Sequence, residues 1–153
     1  MGYVGKSMLK IFPNAIQYDV GGNKELVNTA ELSIICVPTP SKEDGSCDTS
    51  IVEDCISWIT TPLILVKSAL EPGTADRLKA KYGKRIVVSP EYVGESKYWT
   101  PAKYPDPTNP LTHGFMVLGG DPKDCSAIAD IFTPVVGPAT RFRFVSALDA
   151  EVI

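Results

Sequence analysis

Ile86-Val87-Val88-Ser89-Pro90-Glu91-Tyr92-Val93-Gly94-Glu95-Ser96 decides how the rest of this chain is read. A short β-branched run stops at Ser89-Pro90, and two carboxylates then follow four residues apart. Such a run, bounded by a proline, reads as a strand. It does not alternate with polar residues, which is the pattern of a strand covered on both faces. The acids then stand at the carboxyl edge of a sheet, where open α/β folds bind ligands. If the loop turns into a helix, Glu91 and Glu95 share one face. Spacing alone favours the plainer reading of a solvated loop with two surface acids, because surface acids are common. The motifs on either side shift that balance.

The same kind of apolar run recurs along the chain. Ala15–Tyr18, Leu32–Val37, Leu63–Val66, Arg85–Val88, Phe115–Leu118 and Arg141–Val145 are expected as strands. Between them, Thr49–Ile59 carries Ile51, Val52, Cys55, Ile56 and Ile59 at helical spacing, with Asp48 or Thr49 as its cap. Thr74–Tyr82 is expected as a helix after the Pro72-Gly73 turn, and Pro122–Phe132 as another behind Asp121. Tyr98–His113 holds four prolines and no clear period, so it reads as a long loop. Strands alternating with helices predict an α/β fold with a mostly parallel sheet. No repeat or low-complexity segment interrupts the pattern.

Composition narrows the function. The 153 residues suit one domain, and 44% hydrophobic with 22% charged residues is ordinary globular composition. A net charge of −3 gives no electrostatic reason to expect nucleic acid or an anionic membrane. No apolar stretch approaches a membrane span, and no signal peptide is recognisable. Cys36, Cys47, Cys55 and Cys125 form no CxxC pair and His113 is the only histidine, so no metal site is expected. Cys36 sits inside an apolar run and reads as a buried thiol. A reducing compartment, the cytoplasm, is the expected location.

The chain opens Met1-Gly2-Tyr3-Val4-Gly5-Lys6-Ser7. Gly2 and Gly5 have the spacing of the last two glycines of GxGxxG. The first lets a backbone approach a pyrophosphate, and the second lets the following helix pack closely on its strand. Asp19 follows fourteen residues after Gly5, at the end of a short apolar run. An acid there can accept hydrogen bonds from a ribose. Two glycines alone are weak, since most such pairs are plain turns. Gly5-Lys6-Ser7 also echoes the end of a P-loop, but the glycine that opens that motif is not in the sequence.

Gly2-Tyr3-Val4-Gly5, Val37-Pro38-Thr39-Pro40, Lys67-Ser68 with Pro72-Gly73-Thr74, and Pro90-Glu91-Tyr92-Val93-Gly94-Glu95 stand in this order. Taken together the chain resembles, over nearly its whole length, the N-terminal NAD-binding domain of the UDP-glucose/GDP-mannose dehydrogenase family. That resemblance implies a Rossmann-like, doubly wound, mostly parallel sheet with helices on both faces. The family oxidises the C6 alcohol of a sugar nucleotide to a carboxylate with two NAD molecules. Carried over, Gly2, Tyr3, Val4 and Gly5 line the pyrophosphate and Asp19 the adenosine ribose. Val37, Pro38, Thr39 and Ser68 fall on the rest of the cofactor site, towards the nicotinamide. Glu91 belongs to the family's acidic pair, and Glu95 matches the glutamate that helps activate or orient water, work a partly desolvated carboxylate can do. The expected partner is a nucleotide sugar, UDP-glucose by family default. The family commonly dimerises through a segment beyond Ile153, so a homo-oligomer is expected.

The sequence also departs from the family. Ala69 stands where the family has a threonine after Lys-Ser. Ser96 stands where it has a glycine. Asp106-Pro107-Thr108-Asn109-Pro110 lacks the arginine of its Pro-Asp-Arg segment. The family's first strand and first fingerprint glycine would precede Gly2. Ala150-Glu151-Val152-Ile153 resembles the start of its AExxKxxxN segment, whose lysine, and a later catalytic cysteine, would lie beyond. Residues 1–153 are therefore expected to be one NAD-binding domain of a longer architecture, catalytically incomplete alone. A non-catalytic binding or interaction module on the same fold is the alternative, with another nucleotide-binding α/β domain behind it. Lys67 reads as a strand-end residue, His113 as a loop histidine and Trp58 as core or interface cover. Lys79, Lys81, Lys84 and Arg85 read as a solvated face.

Overall fold

The computed structural model describes residues 1–92, 106 and 108–153. Glu95 and most of the proline-rich segment lie outside the described residues. The sheet grows from its two most apolar runs. β2 (Leu63–Val66) and β3 (Ile86–Val88) are buried at every position and pair in parallel, with Val66 opposite Val88. β1 (Leu32–Ile35) adds in parallel on one side of β2. On the other side of β3 come β4 (Phe115–Gly119) and β5 (Arg141–Val145), parallel to each other but antiparallel to β3. The order is β1-β2-β3-β4-β5, a mostly parallel sheet.

Side chains on successive residues alternate faces, and helices cover both. Ile64, Val66, Ile86 and Val88 pack with Val52 and Ile56 of α3 (Ser50–Trp58) and with Ala75 and Leu78 of α4 (Thr74–Tyr82). Ala147 and Ala150 of α6 (Ala147–Val152) complete that layer. Leu63, Leu65, Val87 and Leu118 pack on the other face with Met8 and Ile11 of α1 (Tyr3–Ile11) and with Cys125, Ile128 and Phe132 of α5 (Pro122–Val136). Each wholly buried Leu or Ile contributes about 1.5–3 kcal/mol relative to an exposed one. The layered α/β architecture expected from the sequence is the one found.

The helix boundaries follow local chemistry. Gly73 and Gly83 bracket α4 in the left-handed region, with φ of 89° and 64°, which explains the Pro72-Gly73 signal. Asp48 rather than Thr49 serves the start of α3, its Oδ1 accepting from Ser50 N at 2.9 Å. Asp121 caps α5 as expected, accepting from Lys123 N at 2.9 Å. That helix runs past Phe132 to Val136 although Pro134 lies within it. The carbonyl that Pro134 leaves without a donor belongs to exposed Asp130, where water can reach it. Lys84 is not a free surface charge. Its ammonium donates to the carbonyls of Ile56, Ser57 and Ile59 at the end of α3, where a cation is favourable. Arg85 pairs with Asp124 at 2.6 Å.

Two expectations fail at the other end of the sheet. Ala15–Tyr18 is not a strand, and β1 stops at Ile35 instead of Val37. A strand exists only as a member of a ladder, and composition alone does not create one. The outer edge of β1 has no strand partner among the described residues. Beyond Ile35 the chain leaves the ladder before Pro38, and the Val37 carbonyl is taken by the Ser68 hydroxyl at 2.7 Å. A short helix, α2 (Lys24–Val27), capped by Asn23, bridges to β1.

Candidate functional site

A groove of about 1000 Å³ lies between α1, the segment 12–19 and the outer edge of β1. Gly2, Tyr3, Val4, Gly5, Asp19, Val37 and Pro38 all line it. Seven of the residues singled out for one ligand, drawn from three separate stretches of sequence, therefore meet along one surface. Thr39 and Ser68 are not in its lining, although Ser68 stands one hydrogen bond behind Val37. Cys36, Trp58 and Tyr18 also face the groove.

The geometry of its rim comes from α1. Gly2 is the N-cap residue, in extended conformation, and Lys6 N donates to Gly2 O at 3.1 Å. Apart from its chain neighbours, nothing lies within 4 Å of the place a Gly2 Cβ would occupy. The backbone at the start of α1 is thus open, and the free amides of a helix N-terminus favour an anion there. Gly5 behaves differently from the expectation. A Cβ there would press on Met1 Cγ at 2.8 Å, while Cys36 Cβ is an ordinary 3.9 Å away. The crowding neighbour is the flexible first side chain, not a strand.

Asp19 sits exposed beside the start of α1. The chain's amino group donates to its Oδ2, and Val20 N donates to Oδ1 at 2.9 Å. Those bonds, the amino group's first, hold the Asp19 carboxyl below the usual carboxylate range. An ion pair this exposed is weak and exchanges readily with another hydrogen-bonding partner. Tyr18 packs against Trp58 with ring centroids 5.0 Å apart, and the Lys24 ammonium lies 4.8 Å from the Trp58 ring. Nothing in the sequence pattern connected those three residues.

The second cluster is at the carboxyl edge of β2 and β3. Lys67 follows β2 and is 7% exposed, and Glu91 follows β3. Lys67 Nζ lies 3.7 Å from Glu91 Oε2 and donates to Ser89 Oγ at 3.3 Å and to Pro90 O at 3.2 Å. Burial lowers the Lys67 pKa, and the Glu91 charge opposes that shift. The nearby Cys36 thiol is pushed up to about 12 by burial, with Lys67 pulling the other way, so it is neutral and not a nucleophile at ordinary pH. A cavity of about 50 Å³ is lined by Lys67, Glu91 and His113 among others. Met8 and Ile11 border both this cavity and the large groove, so α1 is their common wall. Sequence reading placed Glu91 at a sheet edge, and that is where it is. Lys67 was expected at a strand end, within the Lys67-Ser68 motif, and the structure makes it the centre of this cluster. The strongest signal for this was an ionisable residue directly after four apolar ones.

All four cysteines are unpaired, and among the described residues no group of side chains is arranged to hold a metal ion. No described helix is long and apolar enough to cross a membrane.

Residues 2–134 match the UDP-glucose/GDP-mannose dehydrogenase family, NAD binding domain. A UDP-glucose 6-dehydrogenase of Rickettsia felis is 29% identical over 142 residues, which are 86% of this chain and 30% of that protein. Among solved structures, a UDP-glucose dehydrogenase from the archaeon Pyrobaculum islandicum superposes with a TM-score of 0.64 at 24% identity, over 86% of this chain and 32% of its own. A UDP-N-acetyl-mannosamine dehydrogenase from Staphylococcus aureus gives 0.61 at 25% identity, over 80% and 31%. The chain thus spans about three tenths of the length of the relatives it matches.

Proposed function

The chain belongs to the UDP-glucose/GDP-mannose dehydrogenase family, as its NAD binding domain, and on that premise we propose that it holds NAD along the groove between α1 and β1. The observation that carries this reading is the meeting of Gly2, Tyr3, Val4, Gly5, Asp19, Val37 and Pro38 on that one surface. The residues fit the cofactor. The open backbone at Gly2 and the amides of α1 suit a pyrophosphate, and Asp19 offers an exposed carboxylate to ribose hydroxyls. Val37 and Pro38 form the wall towards the nicotinamide, with Ser68 hydrogen-bonded behind Val37 and Thr39 next along the chain. When bound, NAD supplies a hydride acceptor.

The partner of that cofactor is a nucleotide sugar, with UDP-glucose the first to test. Glu91 stands at the sheet edge as one acid of the reaction site, and Glu95, outside the described residues, as the second. On the same reading, residues 1–153 act as the cofactor-binding domain of an enzyme in the cytoplasm, assembled as a homo-oligomer. A non-catalytic nucleotide-binding module is the second reading. Ala69 favours it, since it presents no hydroxyl where the resembled family has a threonine.

Titration calorimetry of the chain with NAD tests the proposal. Binding that weakens at least tenfold in Asp19→Ala, a loss of about 1.4 kcal/mol, is expected. Absence of binding, or equal affinity in the variant, overturns it.

A further inference from the structure

The chain leaving β3 has to be fixed by something other than the sheet. Ser89 N makes the last ladder bond, to Val66 O at 2.9 Å. Pro90 then has no N–H to offer, so the main chain cannot continue the ladder there. Glu91, the acid of the site, is the next residue. Its place depends on what holds Ser89 and Pro90.

Lys67 is in position to hold both. β2 and β3 are in register, with Val66 opposite Val88, so Lys67 and Ser89 leave their strands at the same level. An ammonium has three protons. Two go to Ser89 Oγ at 3.3 Å and Pro90 O at 3.2 Å, and Glu91 Oε2 faces the nitrogen at 3.7 Å. The side chains of Lys67 and Glu91 are 7% and 15% exposed. Burying an ammonium without a counter-charge is costly, whereas a buried pair with its remaining donors satisfied is tolerated. Cys36, a neutral thiol, supplies no compensating charge. Glu91 supplies it.

We propose that Lys67 is a positioning residue that fixes the Ser89-Pro90 exit of β3 through hydrogen bonds and fixes the Glu91 carboxylate by charge, setting where that acid enters the cleft. The proposal rests on Glu91 being an acid of the site, and its geometric content is independent of NAD.

The experiment is carbon and nitrogen NMR of the chain with labelled glutamate carboxyl and lysine Nζ atoms, the Glu91 signal being assigned by its loss in Glu91→Gln. In Lys67→Met the Glu91 carboxyl signal moves, and in Lys67→Arg, which keeps the charge, it returns towards the wild-type position. In Glu91→Gln the Lys67 Nζ signal moves, so the result stands even if Lys67→Met does not fold. A double-mutant cycle in urea completes the test. The unfolding constants of Lys67→Met, Glu91→Gln and the double variant depart from multiplicativity by more than about twofold, the lower end for residues in direct contact. Signals that stay in place, or a multiplicative cycle, overturn the proposal. Neither readout involves NAD, so failure of NAD to bind would count against the cofactor reading and not against this one.

Discussion

The two ends of the molecule treat similar sequence differently. At β2 and β3, apolar runs of three and four residues become strands with every residue buried. At Ala15–Tyr18, a run of the same length that Gln17 interrupts remains irregular, and Ile16 is left 41% exposed. The weaker pattern is one part of the contrast, and the surroundings are the other. β2 has a strand on each side and a helix layer on each face, whereas the segment 12–19 faces a groove. Burial and ladder bonds make a strand stable, and only the first region supplies both. The half of the molecule that is densely packed is therefore distinct from the half that is open, and the groove belongs to the second.

The largest expected effect is the direct break of that contrast. Leu65→Ala, at a wholly buried position, should lose about 2–5 kcal/mol of stability in urea unfolding. Ile16→Ala should change it by less than about 0.5 kcal/mol, the range of surface substitutions. Equal losses would mean that the segment 12–19 is as well packed as the sheet, and that the groove is not an open surface.

A second, smaller effect concerns how the packed half is closed. Glu151 of α6 accepts from Gly73 N at 2.6 Å and from Ala75 N at 2.7 Å, so a carboxylate from the far end of the chain caps α4. α6 can come this close to the sheet because Gly119 lies beneath it, where a Cβ would meet Ser146 O at 2.8 Å. Glu151→Ala should cost about 1–2 kcal/mol, the scale of a lost cap with charged hydrogen bonds. Hydrogen exchange should show the loss at the first turn of α4 and not at α1.

The smallest effect is electrostatic and again confined to the packed half. Hydrogen bonds from Lys81, Arg77 and Tyr82 hold the Glu53 carboxyl at about 2, below its ordinary 4.5. A depressed acid stabilises the fold fully above its unfolded pKa, and that stabilisation is lost as pH falls from about 4.5 towards about 2. Lys81 and Arg77 are more than half and half exposed, so screening limits the gain to roughly 0.5–1 kcal/mol. Glu53→Gln should flatten the acid limb of the stability profile by that amount, measured by urea midpoints across the same pH window.

Legibility followed the same division. Leu63–Val66, Thr74–Tyr82 and Arg141–Val145 were predicted to the residue, because apolar period, a left-handed glycine or a proline turn marks each boundary locally. The start of α5 was readable from Asp121, while its end was not, since Pro134 sits in the last turn and the carbonyl it leaves without a donor, that of Asp130, is exposed. Of the residues that line the groove, the glycines and Asp19 stood out as motifs, and Val37 and Pro38 through the family resemblance. Their meeting along one groove was not, and neither was the separate setting of Glu91 beside Lys67.

The sequence by itself determined an α/β chain with short strands, the apolar character of β2 and β3, the carboxyl-edge position of Glu91 and the glycine-bearing start of α1. Each of these is written in neighbouring residues, through side-chain period, turn chemistry and backbone freedom. Only the tertiary structure decided that Ala15–Tyr18 forms no strand, that Lys84 closes α3, that Glu151 caps α4 and that Lys67 stands against Glu91. Those outcomes depend on which groups distant in the chain are brought within a few ångströms, and on whether a polar group buried there finds a partner.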